Sequence, residues 1–215
     1  MMSADVAAGL ALGLYGAGLV IMFGFRSWAH RRRTGSSGFR GLSGPSGSCE
    51  WWGGVLFAAA LALGALSPVL ALSGVVGVYA WTPGWLSWVG LLAVIAAIAG
   101  VLIAQSGMGA SWRIGVDADE RTDLVTTGPF AKVRNPIFSA MITALLGMTL
   151  MVPSVLTVAA LLALVVAVEL QVRFVEEPYL VRVHGMAYLS YARTVGRFVP
   201  GLGRLKQLGA ENRRQ

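Results

Sequence analysis

Residues 137–172 read IFSAMITALLGMTLMVPSVLTVAALLALVVAVELQV, in which Pro153-Ser154 alone separates two apolar runs. The runs Ile137–Val152 and Val155–Val172 come close to the ~20 apolar residues that a membrane-spanning helix needs. Proline and serine favour turns, and a connection of this length leaves room for nothing else. The stretch therefore predicts a tight hairpin of two transmembrane helices.

Three more apolar runs precede this hairpin, at Val6–Phe25, Trp51–Leu72 and Trp85–Gln105. The chain of 215 residues is 56% hydrophobic and 13% charged, whereas about a quarter of the residues in a soluble domain are charged. Lipid is the solvent that suits this composition. We expect an all-α, polytopic membrane bundle of five transmembrane helices with a C-terminal helical hairpin and a cytoplasmic tail. Pro68 is expected to kink or end the second helix.

The positive charge predicts the orientation of these helices. All 17 Lys and Arg residues lie in three segments, namely Arg26–Glu50, Ser106–Pro136 and the tail from Arg173. Because loops rich in Lys and Arg stay in the cytoplasm, the N-terminus is expected outside and the C-terminus inside. Basic residues placed between apolar runs argue against nucleic-acid binding, despite the net charge of +7. The first run has no basic residue before it and is expected to be a retained helix rather than a signal peptide.

We expect two parts in the chain. Residues 1–105 would form three transmembrane helices with a Gly/Ser-rich cytoplasmic linker at 34–48. Residues 106–215 would form the functional core, with a loop, the hairpin at 137–172 and the tail. Gly9 and Gly13 suit close helix contact, and packing within one bundle is favoured over dimerisation. The preference for arginine over lysine, with abundant Gly and Ala, fits a bacterial gene and hence a bacterial inner membrane.

Few residues could hold a metal or form a disulfide. Cys49 is the sole cysteine, so a disulfide within the chain and a thiol-rich metal site are both excluded. His30 and His184 are the only histidines, which argues against a zinc or haem centre. We therefore expect no metal.

One polar cytoplasmic region precedes the hairpin. Gly128-Pro129 is typical of a turn that opens a short helical segment. Asn135-Pro136 has the pattern of an N-cap followed by proline at the first helical position. Free backbone N–H groups beside Arg134 would then form an anion site for a carboxylate or phosphate. The alternative is that Asn135 only caps the helix and Arg134 only marks the topology.

A second polar region follows the hairpin. Glu169, Arg173 and either Glu176 or Glu177 are spaced to share one helix face. An acidic residue at membrane depth is costly and is by default a functional candidate. The alternative is a set of interfacial ion pairs where the helix leaves the bilayer. Pro178 should interrupt this helix. His184 could belong either to the site or to the packing of the tail.

These motifs occur in an order that resembles a known family. The order is Gly128-Pro129-Phe130, Arg134-Asn135-Pro136, Glu176-Glu177, Tyr188, Tyr191 and Arg197-Phe198-Val199-Pro200. It resembles the isoprenylcysteine carboxyl methyltransferase family, to which phospholipid N-methyltransferases and small bacterial thiol methyltransferases are similar. The resemblance covers about residues 107–200. It implies a methyltransferase with S-adenosylmethionine held between the loop before the hairpin and the tail after it.

The resemblance also implies roles for individual residues. The cofactor-binding residues would be Gly128, Pro129, Phe130, Val133, Arg134, Asn135, Pro136, Glu176, Glu177, Tyr188 and Tyr191. Many family members have His where this chain has Asn135, and a frequent Tyr is Phe130 here. Asparagine cannot titrate, so proton transfer at that position is not expected.

Several chemistries remain open from the sequence. Arg173 or Arg197 could orient a carboxylate acceptor, whereas a thiol or amine acceptor would need a base such as Glu176 or Glu169. We expect a lipophilic small molecule or prenyl-type acceptor that enters from the bilayer. The alternatives are a membrane NADPH-dependent sterol-type reductase and a non-catalytic membrane protein.

Overall fold

The computed structural model describes residues 2–25, 27–28, 31–32, 44–75, 83–108 and 123–205. In these residues the regular structure is helical, and its one β contact is an isolated bridge. The long apolar helices are α1 (Ala4–Leu19), α2 (Cys49–Leu72), α3 (Trp85–Met108), α4 (Pro136–Met151) and α5 (Val155–Gln171). Two short helices follow, α6 (Glu177–His184) and α7 (Met186–Thr194). The expected all-α membrane bundle is confirmed.

The five apolar helices lie where the hydrophobic runs predicted them, but they are not equal in length. Four helical stretches in the described residues are long and apolar enough to cross a membrane: Ala4–Gly24, Cys49–Leu72, Trp85–Met108 and Val155–His184. Helix α4 has 16 residues. At ~1.5 Å per residue it is about 24 Å long, less than the ~30 Å of a hydrocarbon core. The long helix α3 packs along this short helix.

The turn between α4 and α5 is closed by hydrogen bonds at its serine. The Ser154 hydroxyl accepts from the Thr157 N–H, and the Thr157 hydroxyl accepts from the Ser154 N–H. This capping box satisfies two backbone N–H groups at the start of α5. The hydroxyl of Ser154 is also 2.8 Å from the buried hydroxyl of Ser67 in α2. Of the two effects expected of Pro68, a kink or the end of α2, the second is excluded, because α2 continues to Leu72. Proline is tolerated in a membrane helix when neighbouring polar groups and helices support the backbone.

Helices α3 and α4 approach each other through two glycines. A Cβ on Gly90 would overlap the carbonyl oxygen of Gly147, and a Cβ on Gly147 would lie 2.7 Å from the carbonyl oxygen of Gly90. Glycine pairs of this kind let membrane helices come into backbone contact. This contact holds the C-terminal part of α4 against the start of α3, and the turn Gly128–Ala131 before α4 also contacts α3.

The prediction that Gly9 and Gly13 pack within the bundle is wrong for the described residues. Both are exposed, and a Cβ on either would meet no described atom within 4 Å. Helix α1 instead turns the small residues Ala7, Ala8 and Ala11 toward the other helices.

Gly90→Ala should destabilise the bundle by about 1–3 kcal/mol, because the new methyl group would overlap backbone that cannot move aside. Thermal unfolding of the purified protein in detergent measures the effect. Gly100→Ala is the matched control in the same helix, since its Cβ would lie 3.7 Å from the Ala140 Cβ, at ordinary contact distance. Equal melting temperatures for the two variants would contradict the close contact.

Candidate functional site

The segment before α4 folds as the sequence predicts, with one difference at its asparagine. Gly128–Ala131 forms a single 3-10 turn, and Gly128 has a φ of +59°, which favours glycine. Asn135 occupies the N-cap position of α4 and Pro136 is the first helical residue, but the Asn135 side chain makes no capping hydrogen bond. Its Nδ2 donates to the carbonyl oxygen of Arg197 at 3.2 Å. Asn135 therefore connects this segment to the tail.

Backbone hydrogen bonds join the segment before α4 to the tail. The Arg134 N–H donates to the Gly196 carbonyl at 2.8 Å, and the Asn135 N–H donates to the Arg197 carbonyl at 3.0 Å. They belong to a parallel bridge between Val133 and Gly196. A Cβ on Gly196 would overlap the Val199 carbonyl, so this tight turn needs glycine. The two polar regions thus form one unit at one end of the hairpin.

Two side-chain hydroxyls strengthen the same connection. The Ser139 hydroxyl, one turn into α4, donates to the Phe198 carbonyl at 2.7 Å. The Tyr191 hydroxyl donates to the Phe130 carbonyl at 2.6 Å. Sequence reasoning missed Ser139 and Gly196, because serine and glycine occur throughout the chain and their type alone does not indicate a site. Only the placement of Gly196 directly before Arg197 offered a signal.

A buried ion network holds the centre of this unit. Arg134 donates to Glu177 Oε1 at 2.6 Å, and Arg197 donates to both carboxylate oxygens of Glu177 at 2.8 Å. The Arg134 side chain is only 2% exposed. The hydrogen bond that Arg197 donates to Glu177 raises the pKa of Arg197 above its usual value. One carboxylate therefore binds a guanidinium from the segment before α4 and another from the tail.

Arg134 also bonds to the backbone of the tail. Its Nη1 donates to the carbonyls of Ala192 at 3.0 Å and Val195 at 2.6 Å, and its Nη2 donates to that of Gly203 at 3.2 Å. Its Nε is buried and has no hydrogen-bond partner. Most of the N–H donors that were expected to bind an anion therefore already donate to groups of the protein. The cofactor role of Arg134 stays a prediction.

The two adjacent glutamates have different surroundings. Residues Val172–Glu176 form a π-helical turn between α5 and α6. Glu177 points into the ion network, whereas Glu176 is half-buried and, among the described residues, has no hydrogen bond or ion pair. The prediction that Pro178 interrupts the helix is wrong, because the π turn lets the helix run continuously over Val155–His184 with Pro178 in the first turn of α6.

Glu169 and Arg173 share a helix face as expected and form an ion pair. The Arg173 side chain is 52% exposed, so this pair adds little stability. Glu169 is also 3.9 Å from Arg197 Nη1, so it lies at the edge of the buried network. His184 ends α6, and among the described hydrogen bonds none joins it to this network.

Two tyrosines of α7 pack against the network. Their rings lie edge to face, 6.2 Å apart, and Tyr188 is fully buried. Burial raises the pKa of each to about 12, and for Tyr188 the charge of Glu177 adds to the rise. Both hydroxyls therefore stay protonated at neutral pH, and that of Tyr191 donates to the Phe130 carbonyl.

The structure separates the predicted cofactor residues into two groups. Phe130, Val133, Arg134, Pro136, Glu177 and Tyr188 are buried and build the unit. Gly128, Pro129, Asn135, Glu176 and Tyr191 stay at least partly accessible and can contact a ligand. Residues 109–122 of the preceding loop, most of the linker at 34–48 and the tail beyond 205 lie outside the described residues. The described residues contain no group of three His, Cys, Asp or Glu that could hold a metal.

Comparisons with known proteins find similarity over the same part of the chain. A family model described as phospholipid methyltransferase matches residues 85–187, which include both polar segments up to the start of α7. The nickel-cobalt-cadmium resistance protein NccN of Alcaligenes xylosoxydans xylosoxydans is 26% identical over 135 residues, 62% of this chain and 61% of that protein. The chain thus spans less than two thirds of this relative.

The fold is similar to a solved membrane enzyme structure. It is that of the eukaryotic intramembrane Ras methyltransferase ICMT (isoprenylcysteine carboxyl methyltransferase), solved without a monobody, with a TM-score of 0.57. The similarity covers 92% of this chain and 70% of that chain at 19% identity. At this identity the similarity concerns the fold. Together with the family model, it confirms the predicted resemblance.

Glu177→Gln should destabilise the protein by about 3–5 kcal/mol, because two buried guanidinium groups would lose their counter-charge. Thermal unfolding in detergent and hydrogen exchange of residues 195–205 measure the loss. Arg173→Gln is the control, since its side chain is 52% exposed and its ion pair with Glu169 is worth at most about 1 kcal/mol. A Glu177→Gln protein with unchanged melting and a protected tail would show that the network does not hold the tail.

Proposed function

Because this chain belongs to the isoprenylcysteine carboxyl methyltransferase/phospholipid methyltransferase-like family of membrane methyltransferases, we propose that it transfers a methyl group from S-adenosylmethionine to a lipophilic acceptor. One observation carries the proposal: the two polar segments, at Gly128–Pro136 and Glu176–Arg197, meet at one end of the hairpin. The accessible face of that unit would hold the cofactor. The acceptor would enter from the bilayer.

The residues present fit the charges of S-adenosylmethionine. The unpaired carboxylate of Glu176 suits its sulfonium group, because a half-buried carboxylate is stabilised by an opposite charge. The backbone of Gly128 is open, since a Cβ there would meet no described atom within 4 Å, and a ligand can approach it closely. The buried Nε of Arg134, which has no partner, offers one donor for the carboxylate end of the cofactor.

When bound, S-adenosylmethionine supplies an electrophilic methyl group on a sulfonium sulfur. In-line displacement depends mainly on positioning, so the rigid unit of Arg134, Glu177 and Arg197 serves to keep the accessible residues in place. Glu176 takes the proton of a thiol or amine acceptor on its carboxylate. Arg173, which is half exposed, or Arg197 through its Nη1 orients a carboxylate acceptor.

We further propose that residues 106–215 carry the activity, while residues 1–105 contribute three transmembrane helices. The charge distribution supports an N-terminus outside and a cytoplasmic C-terminus, which would put the site at the cytoplasmic face. The similarity to a protein of Alcaligenes and the arginine-rich composition support a bacterial inner membrane.

Gly128→Val should lower the affinity for S-adenosylhomocysteine at least tenfold, about 1.4 kcal/mol, because the side chain would occupy the open space beside the backbone. Calorimetric titration of the full chain in detergent measures the affinity. Gly74→Val is a matched control: Gly74 also has a positive φ, +71°, and open surroundings, but it follows α2 in the opposite loop. Saturable binding of NADPH instead of S-adenosylhomocysteine would favour a reductase, and binding of neither would favour a non-catalytic protein.

Glu176→Gln should reduce methyl transfer by about 10²-fold or more, as expected when a general base is lost, while the affinity for S-adenosylhomocysteine changes little. Incorporation of radiolabelled methyl groups into the lipid extract of the membranes measures the rate. Glu50→Gln, in the first turn of α2, is the control. An unchanged rate would leave Glu176 with a structural role.

A further inference from the structure

The chain turns sharply directly after Phe198 and exposes two large apolar side chains. In this tail turn (residues 199–202) the Leu202 N–H donates to the Val199 carbonyl at 3.1 Å. Pro200 and Gly201 take the central positions, and the φ of +79° at Gly201 is typical of a type II turn. Val199 is 50% exposed and Leu202 is 66% exposed. The ion network uses neither residue, so their exposure needs another explanation.

The tail turn is fixed at its base by the unit that the two polar segments form. The Leu202 carbonyl accepts from the Arg197 N–H at 2.8 Å. The next carbonyl, that of Gly203, accepts from Arg134 Nη2 at 3.2 Å. The Leu205 N–H then donates to the Ala192 carbonyl at 2.9 Å. The fold therefore presents the apolar tip of the turn in one defined position.

The tail turn lies at the depth where α4 begins. The Phe198 carbonyl accepts from the hydroxyl of Ser139, one turn into α4, and Phe198 packs against the apolar core of the helix bundle. Helix α4 is about 24 Å long, so a hydrocarbon core of ~30 Å extends beyond its ends. Apolar side chains exposed beside the first turn of α4 therefore face the acyl chains of lipids rather than water.

A cationic side chain lies against the tail turn. A Cβ on Gly201 would be 3.6 Å from Arg204 Nη2, so the guanidinium is close to the turn. Arg204 is exposed, and in the part of the chain that the structure describes its side chain makes no hydrogen bond or ion pair. Residues 178–205 contain four arginines and no Asp or Glu. Arg204 is thus available to an anion from outside the protein.

We propose that the tail turn inserts into the membrane interface and that Arg204 binds the phosphate of an anionic phospholipid there. Val199 and Leu202 contact acyl chains, while the guanidinium lies at the level of the headgroups. An anionic headgroup is preferred over a zwitterionic one, because the ammonium group of the latter would meet arginines and no acidic partner in this stretch. The contact holds the polar segments at the membrane surface and does not depend on methyl transfer.

The depth of the tail turn is measured on the full chain in lipid nanodiscs. A bimane fluorophore is attached to Leu202→Cys in a Cys49→Ser background, because Cys49 is the sole cysteine and is exposed. Met186→Cys in the same background is the matched control, since Met186 is exposed to a similar extent, 64%. It follows a helix that runs on from Gln171 to His184, about 20 Å at 1.5 Å per residue, so it lies beyond the headgroups.

Lipids that carry a doxyl group on the acyl chain should quench the fluorophore at position 202 and not the one at position 186. Doxyl phosphatidylglycerol should associate about fivefold more strongly than doxyl phosphatidylcholine with the site at position 202, as expected for one arginine near an anionic lipid. Equal quenching at the two positions would overturn the proposal. Protection of position 202 by a soluble acidic peptide, without quenching by lipid, would also overturn it and would indicate a protein partner instead.

A second substitution tests the headgroup contact. Arg204→Gln should abolish the preference for phosphatidylglycerol at position 202, because the turn keeps its apolar residues but loses its cation. Arg182→Gln removes the same charge from α6, where the guanidinium lies 5.6 Å from the Tyr179 ring, and should keep the preference. A preference that survives Arg204→Gln, or that both variants lose equally, would overturn the assignment to Arg204. Failure of the wild type to bind S-adenosylhomocysteine would remove the proposed function and leave this lipid site unchanged.

Discussion

The rest of the site depends on the ion network in which Glu177 binds Arg134 and Arg197. Two buried guanidinium groups need a negative charge nearby, and the carboxylate of Glu177 supplies it to both. Because Arg134 precedes α4 and Arg197 lies in the tail, the shared carboxylate holds the segment before α4 against the tail. The parallel bridge between Val133 and Gly196 then has one register, and the accessible residues have one arrangement.

The geometry of the hairpin brings the parts of this network to the same place. Helix α4 begins at Pro136 and α5 returns the chain to the same end of the bundle, so the residues before α4 and after α5 become neighbours. The Gly90–Gly147 contact positions α4 against α3, and the Ser67–Ser154 contact positions the turn against α2. Helix packing in the membrane therefore determines the position of a site that is made of loops and short helices.

The two adjacent glutamates, Glu176 and Glu177, have different surroundings and different roles. Glu177 enters the network and holds the structure, whereas Glu176, on the π turn, keeps a carboxylate without a partner among the described residues. A π turn changes the angular position of the residues that follow it, so neighbouring side chains take different surroundings. The same division applies before α4, where Arg134 is buried and Gly128 is open.

The sequence by itself determined the helical membrane class, the positions of the apolar helices and the two polar segments, because hydrophobic run length and turn residues act locally. It also indicated Asn135-Pro136 as the start of α4 and Gly128-Pro129 as a turn. Only the tertiary structure decided that Arg134 binds Glu177 and backbone carbonyls, that Asn135 donates to Arg197 rather than capping its own helix, and that Gly9 and Gly13 face outward. The two hydrogen-bond partners lie 43 and 62 residues apart in the chain, and a local pattern holds no information about such partners.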